Sequence, residues 1–375
     1  MTLTFLRVVL RHRTAPLSPL IHNLPAPFRH LRPLSTSPCS QATHTMGKKK
    51  SSAPPEQHLL LPQHPARSNA QAIVPIVDTH THLISTFSTY RSKYKEGKFT
   101  TVFDFVRELY KDHGVDAIVD VYCEAPVQKQ WRELADSALS EEDRKTKWGG
   151  LDYWFVMGVH PHEAKDYNDD VERDILEAMA HPRCVGWGEI GLDYHYDNSP
   201  REVQQEVFIR QLQHAVRLGK PLTIHTREAE EDSERILKQY VPKEHRIHIH
   251  CYTDSPEWAA RMLEHFPNLY IGITGVITYT TNLNTSAVIR QMAAAAQTPL
   301  RILLETDAPF MTPSNIYNTL KDVKGRLPLS HSAMIPWTAE WVADVANESA
   351  GEGARWDTEK VMQEGRDNAK KMYGV

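Results

Sequence analysis

Apolar, β-branched or aromatic runs of strand length recur along most of the chain, at Ile73–Leu83, Val115–Cys123, Tyr153–His160, Cys184–Asp193, Pro221–Arg227, Arg246–Thr253, Leu269–Ile277 and Leu300–Asp307. Between them lie segments whose apolar positions repeat with a helical period, at Phe103–His113, Val171–His181, Arg201–Leu218 and Pro256–Phe266. The third is the plainest: Val203, Val207, Leu212, Ala215 and Leu218 form a predicted stripe, Pro200 stands at its start and Gly219 closes it. Strand and helix alternating eight times within ~250 residues predict a (β/α)8 TIM-like barrel, with a doubly wound open sheet as the runner-up. One domain over residues 73–375 accommodates the whole pattern. The polar stretch Asp136–Gly150 interrupts it and reads as an exposed loop insertion, with Trp148 as a packed anchor.

Polar residues break these runs mainly at their carboxyl ends, where barrels of this kind carry their active sites. His80 and His82 end the first run, Glu189 lies late in the fourth, His225 and His250 late in the fifth and sixth, and Asp307 ends the eighth. By strand alternation, Asp78, His80 and His82 are predicted to share one face. A lone His-x-His completes no coordination shell, but six imidazole and carboxylate donors on one rim do. Glu189, set within Val185–Leu192, is costly to bury unless a cation or hydrogen bonds compensate it. Such donors accept Zn2+, Mn2+ or Mg2+, and four histidines without a cysteine ligand favour Zn2+ or Mn2+. His160 and His162 flank Pro161 after the third run, and Arg227 lies two residues past His225; such groups can hold a phosphate. Cys184 and Cys251 read as core fillers, with Cys251 facing away from His250.

The motifs Val77-Asp-Thr-His-Thr-His82, Gly158-Val-His-Pro-His162, Gly188-Glu-Ile-Gly-Leu-Asp193, Pro221-Leu-Thr-Ile-His-Thr-Arg227, His250-Cys-Tyr252 and Leu304-Glu-Thr-Asp-Ala-Pro309 resemble, in order and spacing, the TatD family of metal-dependent deoxyribonucleases, within the amidohydrolase-like barrels. The resemblance runs over residues 73–375 and ends in Asn368-Ala-Lys-Lys-Met-Tyr-Gly374. It implies two divalent metal ions, with His80, His82 and Asp307 on one, His225 and His250 on the other, and Glu189 bridging. It also implies 3′ to 5′ hydrolysis of phosphodiester bonds in single-stranded DNA ends or fragments, in DNA degradation or repair. Two such ions ~3.5 to 4 Å apart activate a water for in-line attack, and Asp307 is then placed to orient or deprotonate it. Glu305 is a candidate partner behind the ligands or, alternatively, a salt-bridged structural carboxylate. The family pattern favours His160 and Arg227 as phosphate contacts, whereas His162 reads equally as a cap for the segment that follows. Two other functions fit the same donors: a metal-dependent amidohydrolase or lactonase, and a catalytically weak scaffold that binds a protein partner. The chain departs from the family at Ser314–Leu329 and Ser330–Pro336, where an Arg-Asn-x-Pro segment is usual, and at Asp254, where a small residue is usual. Both changes fall in loops expected to grip phosphate.

Composition narrows the setting. Net charge over 375 residues is −4, which excludes a broadly basic surface for extended nucleic-acid binding but not a local anion site. The four cysteines form no C-x-x-C pair, as suits a reducing compartment. No apolar run reaches the ~20 residues of a membrane span. The first 55 residues contain no Asp or Glu, while Arg7, Arg11, Arg13, Arg29 and Arg32 lie among Leu, Ser and Pro. This is the composition of a mitochondrial transit peptide over residues 1–45, the rival reading being a disordered tail. Initiation at Met46 instead of Met1 yields a cytoplasmic or nuclear form, and residues 56–72 read as a linker. Residues 1–60 fused to a fluorescent protein are expected to mark mitochondria; a diffuse signal would show the import reading to be wrong.

Overall fold

A computed structural model describes residues 53–68, 72–295, 299–351 and 355–375. The basic segment assigned to targeting, with both candidate start sites, lies outside the described residues. Eight strands run in parallel and in chain order: β1 (Ile76–Thr81), β2 (Val115–Tyr122), β3 (Asp152–Met157), β4 (Cys184–Asp193), β5 (Leu222–Arg227), β6 (Ile247–Ile249), β7 (Leu269–Ile273) and β8 (Ile302–Leu304). The ring closes beyond the end of β8. Asp307 N–H donates to His80 O and His82 N–H to Ala308 O, both at 2.9 Å. The sequential order and this closure make the (β/α)8 barrel and exclude the doubly wound sheet. Among the described residues no helix is long and apolar enough to cross a membrane.

Side-chain alternation sorts the core into two layers. Ala117, Val119 and Val121 of β2 join Val77, Val156, Tyr270 and Leu303 inside the barrel, while Ile118 and Tyr122 join the larger layer between strands and helices. The last helix, Thr358–Tyr373, inserts Met372 and Tyr373 into the inner layer. The Tyr373 hydroxyl meets Thr223 Oγ1 at 2.6 Å and His248 Nδ1 at 2.9 Å, satisfying polar atoms below the rim.

The helix Arg201–Leu218 begins after Pro200 and ends on Gly219 at φ 66°, as its sequence predicts, but the buried face differs. Leu218 is exposed, and Gln204 and Gln211 are buried beside Phe208, Leu212 and Ala215. Both amides bond to backbone at the strand ends. Gln211 accepts from Val159 N–H at 2.8 Å and Trp187 Nε1–H at 3.2 Å and donates to Val159 O at 3.1 Å. Gln204 accepts from Asp193 N–H at 2.8 Å and donates to Asp193 O at 3.0 Å. The helix thus clamps the backbone beside His160 and at the end of β4.

Two stretches depart from the loop-like reading of their composition. The insertion contains a helix, Glu141–Lys147, with Ser140 Oγ accepting from Asp143 N–H at 3.0 Å. Trp148 beyond it is buried against Tyr153, ring centroids 4.6 Å apart. Residues 56–68 are a strap and not a linker: Leu59 and Leu61 are buried, Glu56 Oε1 accepts from Tyr90 OH at 2.6 Å, and the buried Arg67 donates to Val74 O at 2.6 Å. Two leucines amid Pro and Gln suffice to anchor it, which a compositional average hides.

Replacing Gln211 by Ala leaves Val159 N–H, Val159 O and Trp187 Nε1 without their partner. At about 1–3 kcal/mol per stranded buried group, softened by water entering the gap, destabilisation of about 3 kcal/mol is expected. Urea unfolding checks this; a midpoint equal to wild type would contradict the clamp.

Candidate metal centre

The six donors meet at the strand ends because two strands break their own alternation. Pairing of β1 with β2 slips between Asp78 and Thr81, and that of β4 with β5 slips between Trp187 and Ile190. Trp187 and Ile190, three residues apart, both pack outside the barrel. The two-residue period is interrupted between them, and Glu189 turns inward. In β1 the slip separates Asp78 from the histidines, against the expectation of a shared face. Asp78 accepts from Thr306 N–H at 3.0 Å, Thr306 Oγ1 at 2.6 Å and Ser332 Oγ at 2.7 Å, tying β1 to the turn after β8. Burial raises its pKa to about 7 despite these bonds.

Glu189, only 3% exposed, is the hub. Its Oε2 lies 3.5 Å from His80 Nε2 and 3.6 Å from His82 Nε2. Its Oε1 lies 2.8 Å from His225 Nδ1, 2.8 Å from His250 Nε2 and 3.4 Å from His160 Nε2. Asp307 Oδ1 is 3.7 Å from His80 Nε2 and 3.4 Å from His82 Nε2, and those two nitrogens are 3.4 Å apart. A tetrahedral shell with donors about 2.1 Å from an ion has edges of about 3.4 Å, so this first group fits one. The second group is tighter, with His225 Nδ1 and His250 Nε2 3.1 Å apart and both on one carboxylate oxygen. Its donor types suit the same class of ion, which would spread them from hydrogen-bond to shell-edge spacing.

Electrostatics agree with the donor set. Burial pushes the Glu189 carboxyl up, but His250, His160 and His225 outweigh it and hold the pKa well below the ordinary value. Asp307 is likewise lowered, burial being overcome by His82, His80 and His250. Burial and the neighbouring His250 lower His80 to about 4, and burial and His225 lower His160 to about 4. His225 rises to about 9: burial opposes the charge, but Asp193 and Glu189 favour it more strongly. Buried carboxylates thus demand positive charge among crowded imidazoles, and a divalent cation meets that demand in place of protons.

All the donors but His80 floor a cavity of about 710 Å³ whose walls include Cys123, Tyr196, Arg227, Cys251 and Phe310. Arg227 has no carboxylate in ion-pair contact among the described residues; its guanidinium carbon stands 5.0 Å from the Tyr196 ring centroid. His160, not His162, is the cap, since its Nδ1 accepts from His162 N–H at 3.1 Å. His162 Nε2 instead lies 2.9 Å from Asp193 Oδ2. That same oxygen is 3.2 Å from His225 Nε2, so Asp193 stands behind His225. Its motif position was visible in the sequence; its contact with His225 required the fold.

Glu305 is fully buried, with Oε2 2.8 Å from His248 Nε2 and Oε1 accepting from Cys251 N–H at 2.5 Å. Gly272 leaves the room, for a Cβ there would overlap Glu305 Oε1 and His248 Nε2. Cys251 lines the cavity and does not fill the core, because β6 ends at Ile249 and alternation stops there. Cys184 is buried as expected. Neither Asp254 nor any residue of 314–336 is among those that line the cavity. Asp254 is mostly buried, its pKa raised to about 7 by burial and by Glu230. Ser330, His331 and Ser332 are fully buried, with His331 Nε2 3.1 Å from Leu59 O and Ser332 on Asp78. His331 thus holds the strap and Ser332 the β1–β8 seam.

A parallel eight-stranded barrel with imidazoles and carboxylates gathered at the carboxyl ends of its strands is the arrangement of a metal-dependent hydrolase. The chain belongs to the TatD related DNase family, which matches residues 77–374. It is 36% identical over 250 residues to the human 3'-5' RNA nuclease TATDN2, covering 65% of this chain but only 30% of that protein. It is 32% identical over 203 residues to the 3'-5' ssDNA/RNA exonuclease TatD of Rahnella sp. (strain Y9602), covering 52% of this chain and 75% of that one. The crystal structure of YJJV, a TatD homolog from Escherichia coli, shares the fold with a TM-score of 0.58 at 22% identity, covering 81% of this chain and 100% of that one.

Removing the charge of Asp193 in an Asp193→Asn variant should weaken binding of a divalent ion at the His225 side by about 10–100-fold. Calorimetric titration with Zn2+ or Mn2+ reads this, and an unchanged affinity would rule out an orienting role.

Proposed function

We propose that this chain is a two-metal nuclease that removes nucleotides from the 3′ ends of single-stranded nucleic acid. The observation carrying the proposal is that Glu189 divides its two oxygens between two donor groups at the floor of the cavity that also holds Arg227. The names of the human and Rahnella relatives support the substrate and the polarity. His80, His82 and Asp307 would hold one ion, His225 and His250 the other, with Glu189 between them. Bound there, the ions would supply Lewis acidity to a water and to the phosphate oxygens.

The protein's own groups do the rest. Asp307, buried but lining the cavity, takes the proton of the attacking water. The water oxygen joins phosphorus, the bond to the 3′ oxygen of the penultimate nucleotide breaks, and that oxygen takes a proton from solvent in the open cavity, to which Asp307 returns its own. Arg227 offers two parallel N–H donors to the phosphate. His160 Nε2, the other candidate phosphate contact, faces Glu189, and so its place is nearer the donors than the strand.

The test is a single-stranded oligonucleotide labelled at its 5′ end. Metal-free protein is expected to leave it whole, and Mn2+, Zn2+ or Mg2+ to produce a ladder shortened from the 3′ end. Asp307→Asn should lower kcat by about 10²–10⁴-fold with an unchanged circular dichroism spectrum. Turnover of a lactone or amide panel with intact oligonucleotide would replace this reading by the amidohydrolase one.

A further inference from the structure

Two aromatic rings stand out among the exposed large apolar side chains of the described residues: Tyr196 at 52% and Phe310 at 59% exposure. Both line the mouth of the cavity. Tyr196 follows β4 and Phe310 follows β8, and in a closed ring ordered β1 to β8 these positions face each other across the opening. The Tyr196 ring is held in place, with the Arg227 guanidinium 5.0 Å from its centroid and the His195 and His162 rings packed edge to face, their centroids at 4.5 Å and 5.7 Å. Phe310 is held through its backbone, its N–H donating to Asp307 O at 3.0 Å. Each ring is therefore tied to a residue of the centre while its surface stays open to solvent.

We infer that Tyr196 and Phe310 are a two-walled stacking platform that takes unpaired nucleobases on either side of the scissile phosphate, with Arg227 above the backbone between them. This rests on the nuclease reading and adds how the strand is held. Aromatic side chains stack any base whose face is free, and a cation beside them holds the phosphate. A base inside a duplex offers no free face, so the platform selects unpaired ends, and because stacking ignores the sugar it serves DNA and RNA alike.

The test compares strands whose two 3′-terminal residues carry bases or are abasic, in DNA and in RNA. Wild-type protein loaded with Mn2+ should lose about 10- to 100-fold in kcat/KM on the abasic strand. A Tyr196→Ala/Phe310→Ala variant should treat the two strands alike, whereas Tyr196→Phe should keep the preference. Equal abasic sensitivity in wild type and in the alanine variant would overturn the platform and leave the nuclease reading standing. Cleavage of no strand by metal-loaded wild type would overturn the nuclease reading instead. Fluorescence of 2-aminopurine at the 3′ end, titrated with metal-free protein, then decides the platform separately: quenching lost in the alanine variant supports it, and no quenching by wild type overturns it.

Discussion

Everything at the rim answers to one constraint, the burial of the Glu189 carboxylate. An ionised carboxylate taken from water costs several kcal/mol even after relaxation unless it is matched by charge and hydrogen bonds. Here five imidazoles, from three different strand ends and the loop after β3, surround its two oxygens. Asp307 adds a second buried carboxylate on the side of His80 and His82. Neither group of histidines has a reason to converge without those acids, and neither acid can stay buried without the histidines.

The same residues also close the barrel. Short β8 does not pair along β1 as the other strands pair with their neighbours; the seam is bonded through Asp307, Ala308, His80 and His82. Asp78 completes it from the outer side through Thr306 and Ser332. Geometry at the centre and integrity of the fold are therefore set by one set of backbone bonds.

Much of this was legible in the sequence. The period of the apolar runs gave all eight strands, and polar interruptions at their ends gave the six donors. What escaped are departures from period. Alternation placed Asp78 beside His80, but the slip in β1 sends it to the opposite side. It placed Cys251 away from the mouth, but β6 stops before that residue. The stripe on Arg201–Leu218 named apolar positions, whereas two glutamines occupy the buried face because they bond loop backbone. Contacts such as Asp193 to His225 join residues far apart in the chain and leave no local pattern. The changed segment at Ser330–Pro336 was visible, but its burial was not, so a structural change looked like a change at the substrate.

The strap marks where the folded body begins among the described residues. The first residue whose backbone the barrel bonds among those described is Pro54, which accepts from Tyr94 OH at 2.8 Å. Leu59, against His331, is the first fully buried side chain after it. A chain shortened by residues 1–45 would keep both contacts. A cut between residues 56 and 61 would strip a piece of the folded body.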